Sequence, residues 1–527
     1  PGAARRRLDD AEKHGADASP RLLLWQLDLE ARLDLQGGKL EAARRGFSRL
    51  AEAAEAADSL DARWRAQSGL AQVAEAAGRN EVALEAFART EALLDEISLR
   101  APLGLGRVSS ADPGGGTTRR YLDLLLSLGR EEKALEVARR SRSRILRGLL
   151  VEGRVQRLEP ARARLLHDYL GRYERLAEEL DEALASDWQV PGSRRAQVGE
   201  ERRRQREDLD RLLDQALALI DSQSSVADPG ALERQTGEVV LLYHPVSTGW
   251  VGFAVAEGGL RTVPLPDLDP GLSPEELGSR LLEPFREELS FASKVRVLGF
   301  GWLRLVDFHL LPVGGETLLA RAAVVYGLDL PAPIRPATEL HRRWALVVAD
   351  PTETLSAVRE EARAVASRLE GFGFSVSLRA GAAAHRREVL KRLGTVEVFH
   401  FAGHAETSAG LDGALLLSRG GRLTVGDVLA ASSLPESVVL SACGSASSAS
   451  EATDPFLGLA QAFLVAGSRE VLATSRPVPD EAAARVVTAI YRHWDGKMPL
   501  SLALHRAWLE EGNEAEEAWG AFRIFER

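Results

Sequence analysis

The chain has a single cysteine, Cys443, in 527 residues. A lone thiol rules out an intrachain disulfide, suits a reducing compartment such as the cytoplasm, and excludes every thiolate-rich zinc site. Long apolar runs are missing too. No stretch approaches the ~20 residues that span a bilayer. No secretory signal opens the chain, although Pro1 is not a natural start and leaves room for a targeting segment ahead of it. Positive charge is not in excess. The 67 Lys and Arg against 77 Asp and Glu give a formal net charge of −10, which argues against general binding of nucleic acid or of a lipid surface. There is no Gly-x-Ser-x-Gly elbow and no Gly-Lys-Ser/Thr phosphate loop. The "GFGF" of Gly371–Phe374 is a turn before a strand, not a dinucleotide motif. No cofactor is expected.

What is present suits two to four domains, since 45% of residues are hydrophobic and 27% charged. Up to about residue 225 the chain is rich in Leu, Ala, Arg and Glu and poor in β-branched residues, the composition of helices. Three stretches align: "GKLEAARRGFSR" from Gly38, "GRNEVALEAFAR" from Gly78 and "GREEKALEVARR" from Gly129. Each has Gly, a basic residue, then Ala five positions after the Gly (Ala43, Ala83, Ala134), with Phe47, Phe87 and Ala138 four later. A Gly at a helix–helix turn and a small Ala at a close contact resemble tetratricopeptide repeats, here over residues 1–157 at uneven spacing. An ordinary helical bundle is the alternative. "APLGLGRVSSADPGGGTT" (101–118) reads as a flexible insert. Residues 158–230 read as a charged helical hairpin or linker, in which "EERRRQREDLDR" is a solvated face of mixed sign rather than a basic patch.

From Glu238 the pattern changes. Glu238–Leu265 is β-rich and broken by Gly and Pro, a hairpin or meander. Apolar strand-like runs then alternate with amphipathic helices to the C-terminus, which implies a mostly parallel sheet covered on both faces. The domain expected is 238–527, with a β-rich half at 238–335 and a catalytic half at 340–527.

Within it, "VEVFHFAGHA" (Val396–Ala405) places His400 and His404 four residues apart. On a helix that spacing would suit zinc, but the zinc-protease pattern needs Glu after the first His, and Phe401 stands there. The β-branched and aromatic residues read as a strand, so His400 is a strand residue and His404 lies in the loop past its end. "SVVLSACGS" is a second strand, and it delivers Cys443. Functional groups of parallel sheets gather beyond the C-terminal strand ends. One β-insert and one crossover helix fit between His404 and Cys443, so the two loops are able to meet. A thiolate attacks a carbonyl, and an imidazole lowers the thiol pKa and protonates the leaving amine. Backbone N–H groups of Gly403, Ala405 and Cys443 are candidates for holding the oxyanion. The alternative for Cys443 is a small buried hydrophobe.

These residues resemble the caspase-like CHAT peptidases, distant relatives of caspases, gingipains and separases that are often joined to tetratricopeptide repeats. "HFAGHA" is similar to the family's histidine motif and "VVLSAC" to its cysteine motif. Leu303–Leu328, "ALVVADP" with "VREEARAVASRL", "GALLLSRGGRLTVGDVL", "FLGLAQAFLVAGSREVLAT" and "AWGAFRIF" match further segments in order, over about Glu238–Arg527. The resemblance implies a caspase-like α/β fold behind a helical-repeat region, with His404 as general base and acid and Cys443 as nucleophile. It also implies a protein substrate, while stacked repeats, which offer long concave surfaces, suit binding of a regulatory protein partner that gates the peptidase; charge and the lack of apolar runs argue against nucleic acid and membrane as partners. Bacterial defence or cell death is the implied setting. Two departures stand out. Gly444 and Ser445 follow the cysteine where the family commonly has an acidic residue, and "TSRPVPD" puts Arg476 and Pro479 where Trp and Asp are usual. In separases an aspartate near this place receives the basic residue before the scissile bond. Asp480 is the candidate here, with a helix N-cap as its plainer role, and Arg476 bears on the charge of the substrate. The expected function is an intracellular cysteine endopeptidase. A catalytically idle scaffold that binds partners, or another hydrolase or acyltransferase using the same thiol, are the alternatives.

Overall fold

The computed structural model describes residues 20–100, 116–148, 160–187, 190–221, 230–330, 343–406, 413–431, 433–442, 458–512 and 516–527. The chain forms two compact units, one of helices up to Arg144 and one from Ile145 to Arg527.

Among the described residues the first unit holds three helix pairs: α1 (Pro20–Gln36) with α2 (Leu40–Ala56), α3 (Leu60–Ala76) with α4 (Asn80–Arg100), and α5 (Gly116–Ser127) with α6 (Glu131–Gly148). The three aligned stretches each open the second helix of a pair. Gly38, Gly78 and Gly129 have φ of 71°, 68° and 68°, a left-handed conformation that costs glycine least. After each, the next N–H reaches back five residues, Lys39 to Asp34, Arg79 to Ala74 and Arg130 to Leu125, each at 2.9 Å. This is the bond of the Schellman motif that ends a helix. The matched alanines Ala43, Ala83 and Ala134 are fully buried, as are Phe87 and Ala138, with Phe47 all but buried. Gly69 of α3 lies against the Phe47 ring so closely that a Cβ would fall 2.3 Å from it. The flexible insert expected at 101–118 lies mostly outside the described residues. Its last three residues are the first turn of α5, where Thr118 donates to Glu91 at 2.7 Å and Ser68 and Thr117 share a hydrogen bond of 2.9 Å. A sequence rich in Gly and Thr reads as a linker, but those two hydroxyls are taken up by buried partners.

The second unit is built on an 11-stranded sheet. Its strands are β1 (Glu238–Val246), β2 (Gly249–Ala256), β3 (Gly259–Leu265), β4 (Lys294–Leu298), β5 (Ala323–Gly327), β6 (Trp344–Ala349), β7 (Ser375–Ala380), β8 (Val398–Ala402), β12 (Ser437–Ser441), β13 (Glu470–Thr474) and β14 (Phe522–Glu526). A small antiparallel sheet of β9 (Ala405–Glu406), β10 (Ala414–Leu416) and β11 (Arg422–Thr424) continues directly from β8. The order across the large sheet is β3-β2-β1-β4-β5-β14-β13-β12-β8-β6-β7. β1–β3 form an antiparallel meander at one edge, and β13 and β14 are antiparallel. The remaining neighbours are parallel. The central strands β8 and β12 are buried along their whole length, as strands covered on both faces must be.

Covering one face are α9 (Ser356–Gly371), α13 (Asp480–His493) and α14 (Leu500–Glu511), packed with Val398, Val439 and Leu472. The other face carries α10 (Arg386–Leu393), α11 (Val425–Ala430) and α12 (Leu459–Val465), packed with Phe399, Phe401, Val438 and Leu440. The hairpin of α7 (Pro160–Ser186) and α8 (Arg195–Asp221) joins this second face. Leu166, Tyr173, Leu212, Leu213 and Ala216 enter its core, and the Tyr173 hydroxyl lies 3.3 Å from that of Thr424. No described helix is long and apolar enough to cross a membrane.

Candidate active site

β8 and β12 are neighbours, parallel and in register, with Ala402 opposite Ser441. His404 follows β8 by two residues. Cys443 follows β12 by two in sequence, but it lies, with Gly444 and Ser445, outside the described residues, which end at Ala442 on this side. Two strand ends therefore meet at one edge, the thiol's strand beside the imidazole's.

The His404 ring is half-buried, and its Nε2 lies 2.9 Å from Oγ1 of Thr354. Thr354 comes from the loop after β6, the strand on the other side of β8. One buried carboxylate holds that loop. Oδ1 of Asp350 accepts the N–H groups of Thr354 at 2.8 Å and Leu355 at 3.1 Å, and Oδ2 accepts Arg359 Nε at 2.8 Å. Asp350 is itself strained at φ 41°, and its N–H donates to Ala402 at the end of β8 at 2.9 Å. Asp350 and Thr354 are the residues that sequence reasoning missed. The signal was an Asp-Pro directly at a strand end, followed by two hydroxyl residues within three positions.

The backbone donors differ among themselves. Gly403 N–H already donates to Ser441 C=O at 3.2 Å. Leu416 N–H donates to His404 C=O at 2.9 Å, which makes Ala405–Leu415 a non-hydrogen-bonded pair of the small sheet and leaves Ala405 N–H outside its ladder.

His400 is in other company. It is wholly buried on the face covered by α9 and α13. Its Nε2 is 3.1 Å from Glu361 Oε1, and its Nδ1 is 3.3 Å from the Tyr491 hydroxyl. Ser441 donates to the other Glu361 oxygen at 3.2 Å, so the last residue of the thiol's strand shares Glu361 with the first histidine. Burial, then the nearby Glu361 charge, raises the Tyr491 hydroxyl well above its ordinary pKa.

Asp480 is the first residue of α13. Pro479 occupies the cap position, with no side-chain capping bond, so Asp480 adds favourable charge to the helix start without capping it. Together with Glu361, Gly403, Ser441, Ala442 and Thr474 it lines a small cavity at the strand ends. Thr474 donates to Ala442 C=O at 2.5 Å and so fixes the last described residue before Cys443. Arg476 is anchored away from that cavity. Its Nη1 bonds Asp307 Oδ2 at 2.5 Å and Gly520 C=O at 3.0 Å. Arg523 holds the second Asp307 oxygen at 2.9 Å. Burial would raise the Asp307 carboxyl, but Arg523, His309 and Arg476 outweigh it and hold the pKa below the usual range.

The mostly parallel α/β domain thus carries the histidine loop and the end of β12 on neighbouring strands. Residues 273–524 match the family model of the CHAT domain. The family match begins after the β1–β3 meander, which the fold nonetheless places in the same sheet. None of the curated proteins matches the chain. Among solved structures, two of the Saccharomyces cerevisiae separase–securin complex match with TM-scores of 0.44 and 0.42 at 8% identity, over 100% and 98% of this chain and 48% of theirs. A complex of the Porphyromonas gingivalis RgpB pro- and mature domains matches with a TM-score of 0.31 at 9% identity, over 49% of this chain and 60% of that one. The chain thus spans about half the length of the separase chains it matches.

Proposed function

We propose that this chain is a cysteine endopeptidase. The observation that carries the reading is the in-register pairing of β8 with β12, which sends His404 and the segment containing Cys443 off the same sheet edge. Thr354 engages His404 at Nε2, so Nδ1 is the ring nitrogen that serves the thiol. His404 takes the thiol proton, the thiolate of Cys443 attacks the peptide carbonyl, and the imidazolium returns the proton to the leaving amine. Water then hydrolyses the thioester, with His404 as base. Since Gly403 N–H is committed to Ser441, the oxyanion falls to the N–H groups of Ala405 and Cys443.

In this reading Asp480, on the cavity beside Ser441 and Ala442, receives a basic side chain before the scissile bond. Arg476, tied to Asp307 and Gly520 away from that cavity, is not a direct substrate contact. The helical unit supplies an extended surface for a regulatory protein partner, and binding of that partner gates the peptidase. A cytoplasmic setting in bacterial defence or cell death rests on the family resemblance alone.

The test is cleavage of a denatured proteome by the wild-type chain and by Cys443→Ala, with new termini read by mass spectrometry. Cuts that vanish in Cys443→Ala and follow Lys or Arg support the reading. Identical digests from both proteins, with candidate partners supplied, would leave the idle CHAT scaffold as the better account.

A further inference from the structure

Asp480 is reached from the end of β13 through Ser475-Arg476-Pro477-Val478-Pro479. Proline fixes its own φ, and it holds the residue before it to extended backbone. With Pro477 and Pro479 in place, the run from Arg476 to Asp480 is stiff. Wherever Arg476 is held, Val478 and Asp480 follow, and both line the small cavity beside Ser441 and Ala442.

Arg476 is held by a segment far upstream. Asp307 follows β4, and its Oδ2 accepts Arg476 Nη1. That segment is itself fixed. Arg523 of β14 donates to Arg304 C=O at 2.7 Å, to Leu305 C=O, and to Asp307 Oδ1. Its guanidinium lies over the Tyr326 ring, 4.8 Å from the centroid. Phe308, next to Asp307, is fully buried and stacked on Tyr243 at 5.4 Å. Asp307 is therefore a fixed post for the arginine.

On its other side the packing leaves room for the guanidinium. A Cβ on Gly520 would fall 2.7 Å from Arg476 Nη2 and 2.4 Å from Leu310 Cδ1. Without that side chain, Gly520 C=O accepts Arg476 Nη1 at 3.0 Å. The next residue, Ala521, accepts the Ser475 N–H at 2.7 Å and the Ser475 hydroxyl at 3.1 Å through its C=O. One turn before β14 thus receives both the backbone before Arg476 and the tip of its side chain.

We propose that Asp307 and Arg476 form a clasp that positions Asp480, so that the segment after β4 sets where the substrate's basic side chain is received. The proposal rests on the endopeptidase reading above, in which Asp480 takes that side chain. Neither member of the clasp touches substrate. Both are positioning residues, and they act along the stiff run that carries the two prolines. Arg476 stands where the resembled family usually has Trp, so the clasp is a feature of this chain's own sequence.

The first experiment needs no catalysis. Amide hydrogen exchange is followed by mass spectrometry in full-length Cys443→Ala, alone and with Arg476→Gln, Arg476→Lys or Gly520→Ala added. Arg476→Gln and Gly520→Ala are expected to speed exchange about tenfold in peptides covering 474–483, the scale of one charge-assisted hydrogen bond. Arg476→Lys, which keeps a cation for Asp307, is expected to fall between them and the parent. Exchange unchanged in 474–483, or raised equally across the whole sheet domain, overturns the clasp. The second experiment compares cleavage of peptides with Arg or its neutral isostere citrulline before the scissile bond. Arg476→Gln is expected to raise KM for the Arg peptide about tenfold through misplacement of Asp480. Its kcat, the citrulline peptide and the urea unfolding midpoint should change little, whereas a merely structural role would affect both peptides alike. Cys443-dependent cleavage without preference for Arg in the wild type, or with that preference intact in both Arg476→Gln and Gly520→Ala, overturns the clasp and leaves the peptidase standing. Local loosening of 474–483 with no Cys443-dependent cleavage of any substrate refutes the peptidase and keeps the clasp as a tie between the two segments.

Discussion

Beneath the sheet, His400 touches Glu361 and Tyr491 with no surface exposed; past the end of the same strand, the half-buried His404 touches Thr354. The residues are four apart in sequence and chemically identical. What separates them is the strand's end. While β8 lasts, alternation sends His400 into the helix-covered face, where it can only join a closed polar cluster. Once the strand stops, the ring is held by Thr354 from the loop after β6 and is only half-buried. On the proposed function the lower region serves stability and the upper one chemistry, and each claim can be broken separately.

The largest effect is expected at the upper histidine. His404→Ala should lower the rate of cleavage by about 10³-fold, within the range for removing a general acid and base, while the midpoint of urea unfolding stays where it was. An unfolding midpoint that drops with activity would erase the distinction between the two regions.

The lower cluster should behave in the opposite way. Glu361→Ala removes the acceptor of Ser441 and the carboxylate packed 3.1 Å from His400, and should cost about 3 kcal/mol of stability in chemical denaturation, as for other buried partners removed singly. If that variant lost activity at full stability, the cluster would be part of the catalytic apparatus.

A third histidine sharpens the contrast. His309 is fully buried and hydrogen-bonded to Tyr326 at 2.7 Å, and burial lowers its pKa to about 4. Between about pH 6.5 and 4 the unfolded chain therefore binds a proton that the folded chain does not. Stability is full at neutral pH and falls as the pH drops through that window, by about 3 kcal/mol in all. Urea titrations at pH 7 and pH 5 should show the loss, and His309→Gln should remove this part of the dependence.

The smallest effect separates holding the imidazole from using it. Thr354→Val should reduce kcat about tenfold with little change in KM, because the valine keeps the shape and removes only the orienting hydroxyl. A change confined to KM would make Thr354 a substrate contact instead.

Much of this architecture was legible in the sequence, for reasons that are specific. The Gly-basic-Ala-Phe stretches could be aligned because each Gly must adopt positive φ and each Ala must fit a helix contact. β8 and β12 could be recognised because central parallel strands are apolar throughout. His404 could be assigned past the strand end because Ala402-Gly403 closes the run. What was not legible depends on long-range pairing. Nothing near Glu361 in sequence says that it meets His400 and Ser441 from two different strands. Arg476 reads as a free charge until Asp307 arrives from far upstream. Arg206 reads as one of several surface arginines, because only folding of the hairpin onto the small sheet shows that its Nε is buried without a hydrogen-bond partner among the described residues. Gly403 reads as an oxyanion donor until the register places Ser441 C=O opposite it.

The most direct test of the account uses the fact that the chain has one cysteine, so that thiol alkylation reports on a single site. The rate of iodoacetamide reaction with the folded protein is measured against pH for wild type and for His404→Ala. If the imidazole serves the thiol, the wild-type profile inflects well below the ordinary thiol value of about 8.5, and His404→Ala moves the inflection back up to it. Superimposable profiles for the two proteins would mean that His404 and Cys443 do not act together, and the account of this site would be wrong.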